Sequence, residues 1–145
     1  MGSRANSLGH LVQNYVAEYL KECFSGLGVS IQSNGTIPGV SHNDINSNRP
    51  TTFDIVVSKQ GRFVAVEISF QVTTNSLIER KAGQAQARYN QINSAGHRIA
   101  YVLDGAGNFQ RKNALGTICS FSHCNVAFSD SELEILRDFI LEHVS

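Results

Sequence analysis

Apolar residues recur three and four positions apart at the start of the chain, at Leu8, Leu11, Val12, Tyr15, Val16, Tyr19, Leu20 and Phe24, until Gly26 stops the run. This spacing predicts an amphipathic helix over 8–24 with one buried face, after a loose start over 1–7. Val29–Ile31 reads as the beginning of a short strand. The stretch 33–50, rich in Asn, Ser, Gly and Pro, reads as a loop or an irregular strand edge. The periodicity then changes to two. Phe53–Val57 and Phe63–Phe70 predict the arms of a β-hairpin across Ser58-Lys59-Gln60-Gly61-Arg62. In the second arm Val64, Val66 and Ile68 alternate with Ala65, Glu67 and Ser69, which places Glu67 and Ser69 on one face.

Helical spacing returns over 76–92, where Ile78, Ala82, Ala85, Tyr89 and Ile92 form an apolar stripe closed by Gly96. Lys81, Gln84 and Arg88 share another face of that helix, three and four residues apart. Arg98–Leu103 is a buried-type strand, and Asp104-Gly105-Ala106-Gly107-Asn108 a turn. A helix is expected over 112–120 and a short strand over 126–128. Ser129-Asp130-Ser131-Glu132 is a capping box for a last helix reaching His143. Helices alternating with strands in this order predict an α/β domain, a central mixed sheet flanked by helices.

At 145 residues the chain suits one domain with a real core, and its 41% hydrophobic and 17% charged content is that of a folded globular protein. No apolar run approaches the roughly 18 residues of a membrane span, and no basic stretch with an apolar segment marks a secretory leader. A cytoplasmic protein with no membrane partner is the expectation. Three cysteines, Cys23, Cys119 and Cys124, are an odd number without repeated spacing, which argues for reduced thiols. Cys119, His123 and Cys124 fall close together, but a structural zinc site needs four ligands and only the remote Cys23 and His143 remain to complete it, which argues against zinc. Twelve basic residues balance twelve acidic ones. This counts against a chain-wide grip on phosphate, although a neutral total can hide a basic face. Arg80, Lys81, Arg88, Arg98, Arg111 and Lys112 fall in the second half, while Glu132, Glu134, Asp138 and Glu142 gather in the last helix.

The residues that carry chemistry are Asp54 and Glu67, one on each arm of the hairpin. Alternation can direct both to one rim of the sheet, where paired carboxylate oxygens suit Mg²⁺. Such an ion can polarise a phosphodiester and generate hydroxide. The competing reading is two solvated charges on a sheet surface. Neither a phosphate-binding loop nor a serine nucleophile elbow is present: Gly105 and Gly107 lack the accompanying Lys-Ser/Thr, and no serine sits between flanking glycines.

Pro50-Thr51-Thr52-Phe53-Asp54, followed by Val66-Glu67-Ile68-Ser69-Phe70 and a helix, resembles the core of the PD-(D/E)XK nucleases. Glu67-Ile68-Ser69-Phe70 is similar to the Glu-x-Asn-Phe variant of some type II restriction enzymes that cleave GATC. Leu103-Asp104-Gly105-Ala106-Gly107-Asn108-Phe109 is similar to a Thr-Asp-Gly-x-Gly-Trp turn in the same enzymes. The resemblance covers about 8–128 in element order. It implies a restriction-endonuclease-like core and endonucleolytic hydrolysis of double-stranded DNA, with one or two Mg²⁺ ions on Asp54 and Glu67. A third metal carboxylate from the first helix is expected at Glu18, with Glu22 the lesser candidate. At this length the chain would be a single nuclease domain, whole or cut from a longer enzyme, or a small subunit that dimerises to cut both strands.

Two departures from the family pattern matter. The proline lies four residues before Asp54, and the lysine of Glu-x-Lys is replaced by Ser69. That lysine orients the attacking water and steadies charge on the phosphate. Lys81 is the preferred substitute, Gln71 the alternative from the strand face shared with Glu67 and Ser69. Gln84 and Arg88 are assigned to DNA contact. The rival function is a nucleic-acid-binding module that kept the fold and lost catalysis.

Overall fold

The computed structural model describes residues 3–41, 50–69, 75–103 and 122–144, with side chains over 10–40, 52–68, 85–103 and 122–144. The elements are α1 (Ser3–Cys23), β1 (Ser30–Ser41), β2 (Pro50–Lys59), β3 (Arg62–Ser69), α2 (Asn75–Ser94), β4 (Arg98–Leu103), β5 (Cys124–Ala127) and α3 (Asp130–Val144). The strands form one sheet in the order β1-β2-β3-β4-β5. β1, β2 and β3 pair antiparallel, while β3–β4 and β4–β5 are parallel. The expected mixed sheet with flanking helices is what the chain forms. The turn at 104–108, the helix at 112–120, Phe70, Gln71 and Cys119 lie outside the described residues.

The sheet is covered on both faces. On one, Val12, Val16 and Leu20 of α1 and Leu133, Leu136 and Ile140 of α3 pack against Ile55, Val57, Val64, Val66, Ala100 and Val102. On the other, Ile92 of α2 packs with Ile37, Val40, Phe53, Val56, Ala65, Ile99 and Tyr101. Central strands sandwiched this way bury every position, so Val64 through Ile68 and Ile99 through Val102 read as continuous apolar runs around one acid, Glu67. No helix among the described residues is long and apolar enough to cross a membrane.

Several boundaries differ from the expectation. α1 begins at Ser3, within the stretch expected to be loose. The polar stretch after Ile31 is mostly strand: β1 runs for 12 residues, in register from Ser30↔Ser58 to Thr36↔Thr52 with a shift before Ser41↔Pro50. Of the two readings, loop or irregular strand edge, 33–41 takes the second: β1 is first in the sheet order, and an edge strand tolerates polar residues and Pro38 on its open side. Gly35 lets β1 approach β2 closely: a Cβ there would stand 3.1 Å from Val56 Cβ and push it aside. The hairpin turn tightens to Gln60-Gly61, both at positive φ (53° and 82°), the geometry whose twist matches paired strands.

Two helix ends behave as their sequences imply. The Gly96 amide (φ 84°) donates to the Asn93 carbonyl and the His97 amide to that of Ile92, closing α2 with a left-handed glycine cap. Ser129 caps α3 by accepting from the Glu132 amide at 3.3 Å. The box is not reciprocal, because Glu132 Oε1 accepts from the Ala127 amide instead.

The cap delivers His97 to the end of the sheet where β3 and β4 begin, beside Phe63 (ring centroids 5.0 Å apart). Arg62 donates to the His143 carbonyl and Arg98 to that of His97. Nδ1 of His97 and Nε2 of His143 are buried without hydrogen-bond partners among the described residues. Nearby, His123 Nδ1 accepts from the Ile99 amide at 3.0 Å, which leaves its proton on Nε2, 3.1 Å from Asn93 Oδ1. A zinc role for His123 is disfavoured, since both ring nitrogens are already engaged. Burial lowers the pKa of all three imidazoles; Arg98 lowers His123 and His143 further, and His143 also feels His97 and Arg62. Each is therefore neutral in the fold at a pH where it would begin to protonate in the unfolded chain. The stability they contribute is complete above the ordinary histidine value of 6.5 and is lost as pH falls through the lower folded values. The urea midpoint should fall between pH 7.5 and 5.5, and less steeply in His143→Gln; equal slopes in both proteins would contradict this.

Candidate active site

The β2–β3 ladder proceeds by Lys59↔Arg62, Val57↔Val64 and Ile55↔Val66. There the backbone ladder ends, and side chains of the next residues, Asp54 and Glu67, take over. The Asp54 amide donates to Glu67 Oε2 at 2.9 Å, and the Ile68 amide donates to Asp54 Oδ2 at 2.8 Å. Each carboxylate thus satisfies a backbone donor on or beside the other strand. The exchange orients both acids without using all their oxygens. These two bonds bring Asp54 and Glu67, expected from sequence to share a rim of the sheet, next to each other.

The two acids differ in setting. Asp54 is half-buried, whereas Glu67 is 3% exposed and lies on the face covered by α2. Glu67 is therefore not a solvated surface charge. A carboxylate so placed needs a cation, and Arg88 of α2 supplies it through Glu67 Oε1. The Arg88 guanidinium also lies over the Phe53 ring, 5.3 Å from its centroid. Arg88, assigned from sequence to DNA contact, is turned inward onto the acid. Tyr101 is the Cα partner of Glu67 across the parallel ladder. Burial, reinforced by the Glu67 charge, raises its pKa, so its hydroxyl stays protonated at neutral pH.

Gln13 is a site residue that the sequence reading missed. Only 8% exposed, its amide donates to the Asp54 carbonyl at 2.9 Å and ties α1 to β2 where the ladder ends. The signal was a polar residue in step with Val16, Ala17 and Leu20 on the buried stripe, since a buried amide needs a partner. Glu18, the expected third ligand, stands about 140° around α1 from Gln13. It is exposed and pairs with Lys21 at 3.2 Å. Among the described residues no group of three or more His, Cys, Asp or Glu could hold a metal ion, so Glu18 does not join Asp54 and Glu67. Glu22 is exposed as well. The side chains of Ser69, Lys81 and Gln84 lie outside the described residues, though Ser69 ends β3 and Lys81 stands two turns before Arg88 on the same side of α2. Tyr89, expected in the core, is half-buried and stacked on His123 at 4.7 Å.

Comparison with known proteins is specific. The chain is 56% identical over 141 residues to the type II restriction enzyme BanI of Aneurinibacillus aneurinilyticus, covering 97% of this chain and 39% of that protein. It is 46% identical to the type II restriction enzyme HgiCI of Herpetosiphon aurantiacus, covering 97% of this chain and 40% of that one. The chain thus spans about two fifths of the length of these relatives. Among solved structures, a protein of unknown function, AF1548, aligns with a TM-score of 0.47 at 14% identity, over 86% of this chain and 64% of that one. The family model of the BanI C-terminal domain matches residues 1–144. With nearly its whole length matched, this chain belongs to the BanI C-terminal domain family, and it is a type II restriction endonuclease-like protein.

Proposed function

We propose that this chain is the catalytic domain of a type II restriction enzyme, cutting double-stranded DNA with Mg²⁺ held by Asp54 and Glu67. The observation that carries the reading is the pair of cross-strand bonds, Asp54 amide to Glu67 Oε2 and Ile68 amide to Asp54 Oδ2, which holds the two acids side by side where β2 and β3 part. The donor set fits the ion. Mg²⁺ prefers one or two carboxylates, with waters and substrate phosphates completing its shell, so a third protein ligand is not required. Bound there, the ion would supply Lewis-acid polarisation of the phosphate and a hydroxide nucleophile at neutral pH.

The chain's own residues do the rest. Gln13 and the Ile68 amide hold Asp54, and the Asp54 amide holds Glu67. Lys81 is assigned the charge-steadying role of the absent lysine, with Gln71 and Ser69 as the strand alternatives and Gln84 as a DNA contact. Pairing of two such domains on one duplex would allow both strands to be cut. The Arg88–Glu67 ion pair favours the rival reading, a DNA-binding module without catalysis, because it engages one of the two metal carboxylates. Supercoiled plasmid incubated with the purified chain and Mg²⁺ should become nicked and linear, and EDTA should stop it. A chain that retards DNA on a gel yet leaves it intact with both Mg²⁺ and Mn²⁺ would establish the binding module.

A further inference from the structure

We propose that Arg88 is a positioning residue that occupies Glu67 as a built-in counter-ion and exchanges places with the divalent ion, passing its guanidinium to the DNA phosphate. This deepens, and rests on, the metal-site reading above. Three observations carry it. First, both Glu67 oxygens are committed: Oε2 to the Asp54 amide and Oε1 to Arg88. The amide bond belongs to the folded hairpin, so an ion arriving at Glu67 meets Arg88 as its competitor. Second, Glu67 is 3% exposed, and a carboxylate this buried is costly without a positive partner. The guanidinium keeps the site charge-neutral until a stronger cation comes.

Third, Arg88 is held by more than the acid. Its guanidinium rests over the Phe53 ring and its side chain retains 19% exposure. An arginine stacked on an aromatic face stays in place when one hydrogen-bond partner is withdrawn, and its planar donor fork suits phosphate as well as carboxylate. A lysine would lack both properties. Arg88 thus opposes ion binding before DNA is present, and it becomes a phosphate contact once the ion has taken Glu67 Oε1. Ion and phosphate then bind cooperatively, since each removes an obstacle to the other.

The test reads ion binding with Ca²⁺, separately from cleavage. In Arg88→Gln, Ca²⁺ measured by calorimetry without DNA should bind roughly tenfold tighter than in wild type, and the melting temperature should rise more on adding Ca²⁺. The cleavage rate with Mg²⁺ should nevertheless fall by roughly two orders of magnitude, in the range for loss of one charge-stabilising group. Arg88→Lys, which keeps a competing charge, should bind Ca²⁺ close to wild type. A purely structural Arg88 would weaken the fold without tightening ion binding, so unchanged or weaker Ca²⁺ affinity in Arg88→Gln overturns the proposal. Should that variant not fold, the wild-type guanidinium Nε–Hε resonance of Arg88, identified by its loss in Arg88→Lys, decides. It should shift as Ca²⁺ saturates, and an unmoved resonance overturns the exchange. If wild type binds Ca²⁺, Asp54→Asn does not, and Arg88→Gln matches wild type, the metal site stands and only the role of Arg88 fails. If wild type binds neither Ca²⁺ nor Mg²⁺, both readings fall.

Discussion

Asp54→Asn and Glu67→Gln are each expected to lower DNA cleavage by roughly two to four orders of magnitude or more, the scale for removing a group that stabilises charge at the reacting phosphate. The amides are nearly isosteric, and their carbonyl oxygens can still accept from the Ile68 and Asp54 backbone amides, so the ends of the hairpin remain capped. The stability costs should differ. Asp54 is half-buried, and Asp54→Asn should melt close to wild type. Glu67→Gln removes the anion facing Arg88, and stranding a charge beside an apolar ring costs about 1–3 kcal/mol, less than for a fully enclosed pair because Arg88 keeps partial access to water. Plasmid cleavage and thermal melts on the same preparations separate the two effects. Wild-type cutting by Asp54→Asn would remove catalysis from this site altogether.

Phe53→Ala should produce the largest loss of stability among single changes near the site, about 3–5 kcal/mol and on the order of 10 °C in Tm. Phe53 is 1% exposed and packs with Ile37, Val40, Val56, Ala65, Ile92, Ile99 and Tyr101. Its ring fills the space between β2 and α2 and forms the floor beneath Arg88. Truncation would leave a cavity in a face closed by a single described helix, with few neighbours free to move in. Phe53→Leu keeps most of the volume and should lose much less. Urea unfolding of both variants gives the comparison, and a loss below about 1 kcal/mol in Phe53→Ala would show that the ring is not the packing element described here.

Much of this molecule is written in local spacing. Helical recurrence marks α1, and buried runs mark β3 and β4, because a helix or strand declares its buried face through residues two to four positions apart. Ser129 and Gly96 announce helix ends through the backbone groups they satisfy. Asp54 and Glu67 were identifiable because a tight hairpin brings residues 13 apart within hydrogen-bond reach, with no need of any other element. β1 was only partly legible: an edge strand needs no apolar alternation, and its pairing is decided by β2.

The rest of the site depends on helices packing over the sheet. Arg88 meets Glu67 across 21 residues and Gln13 meets Asp54 across 41, distances over which periodicity carries no information. The sequence alone allowed Arg88 to face DNA and Glu18 to face metal, because both lie on helix surfaces with more than one polar direction. The tertiary structure ties Arg88 to Glu67 and leaves Glu18 exposed beside Lys21. Burying Glu67 between the sheet and α2 demanded a cation, which drew Arg88 inward, and the same packing set Gln13 rather than Glu18 against the end of the β2–β3 ladder.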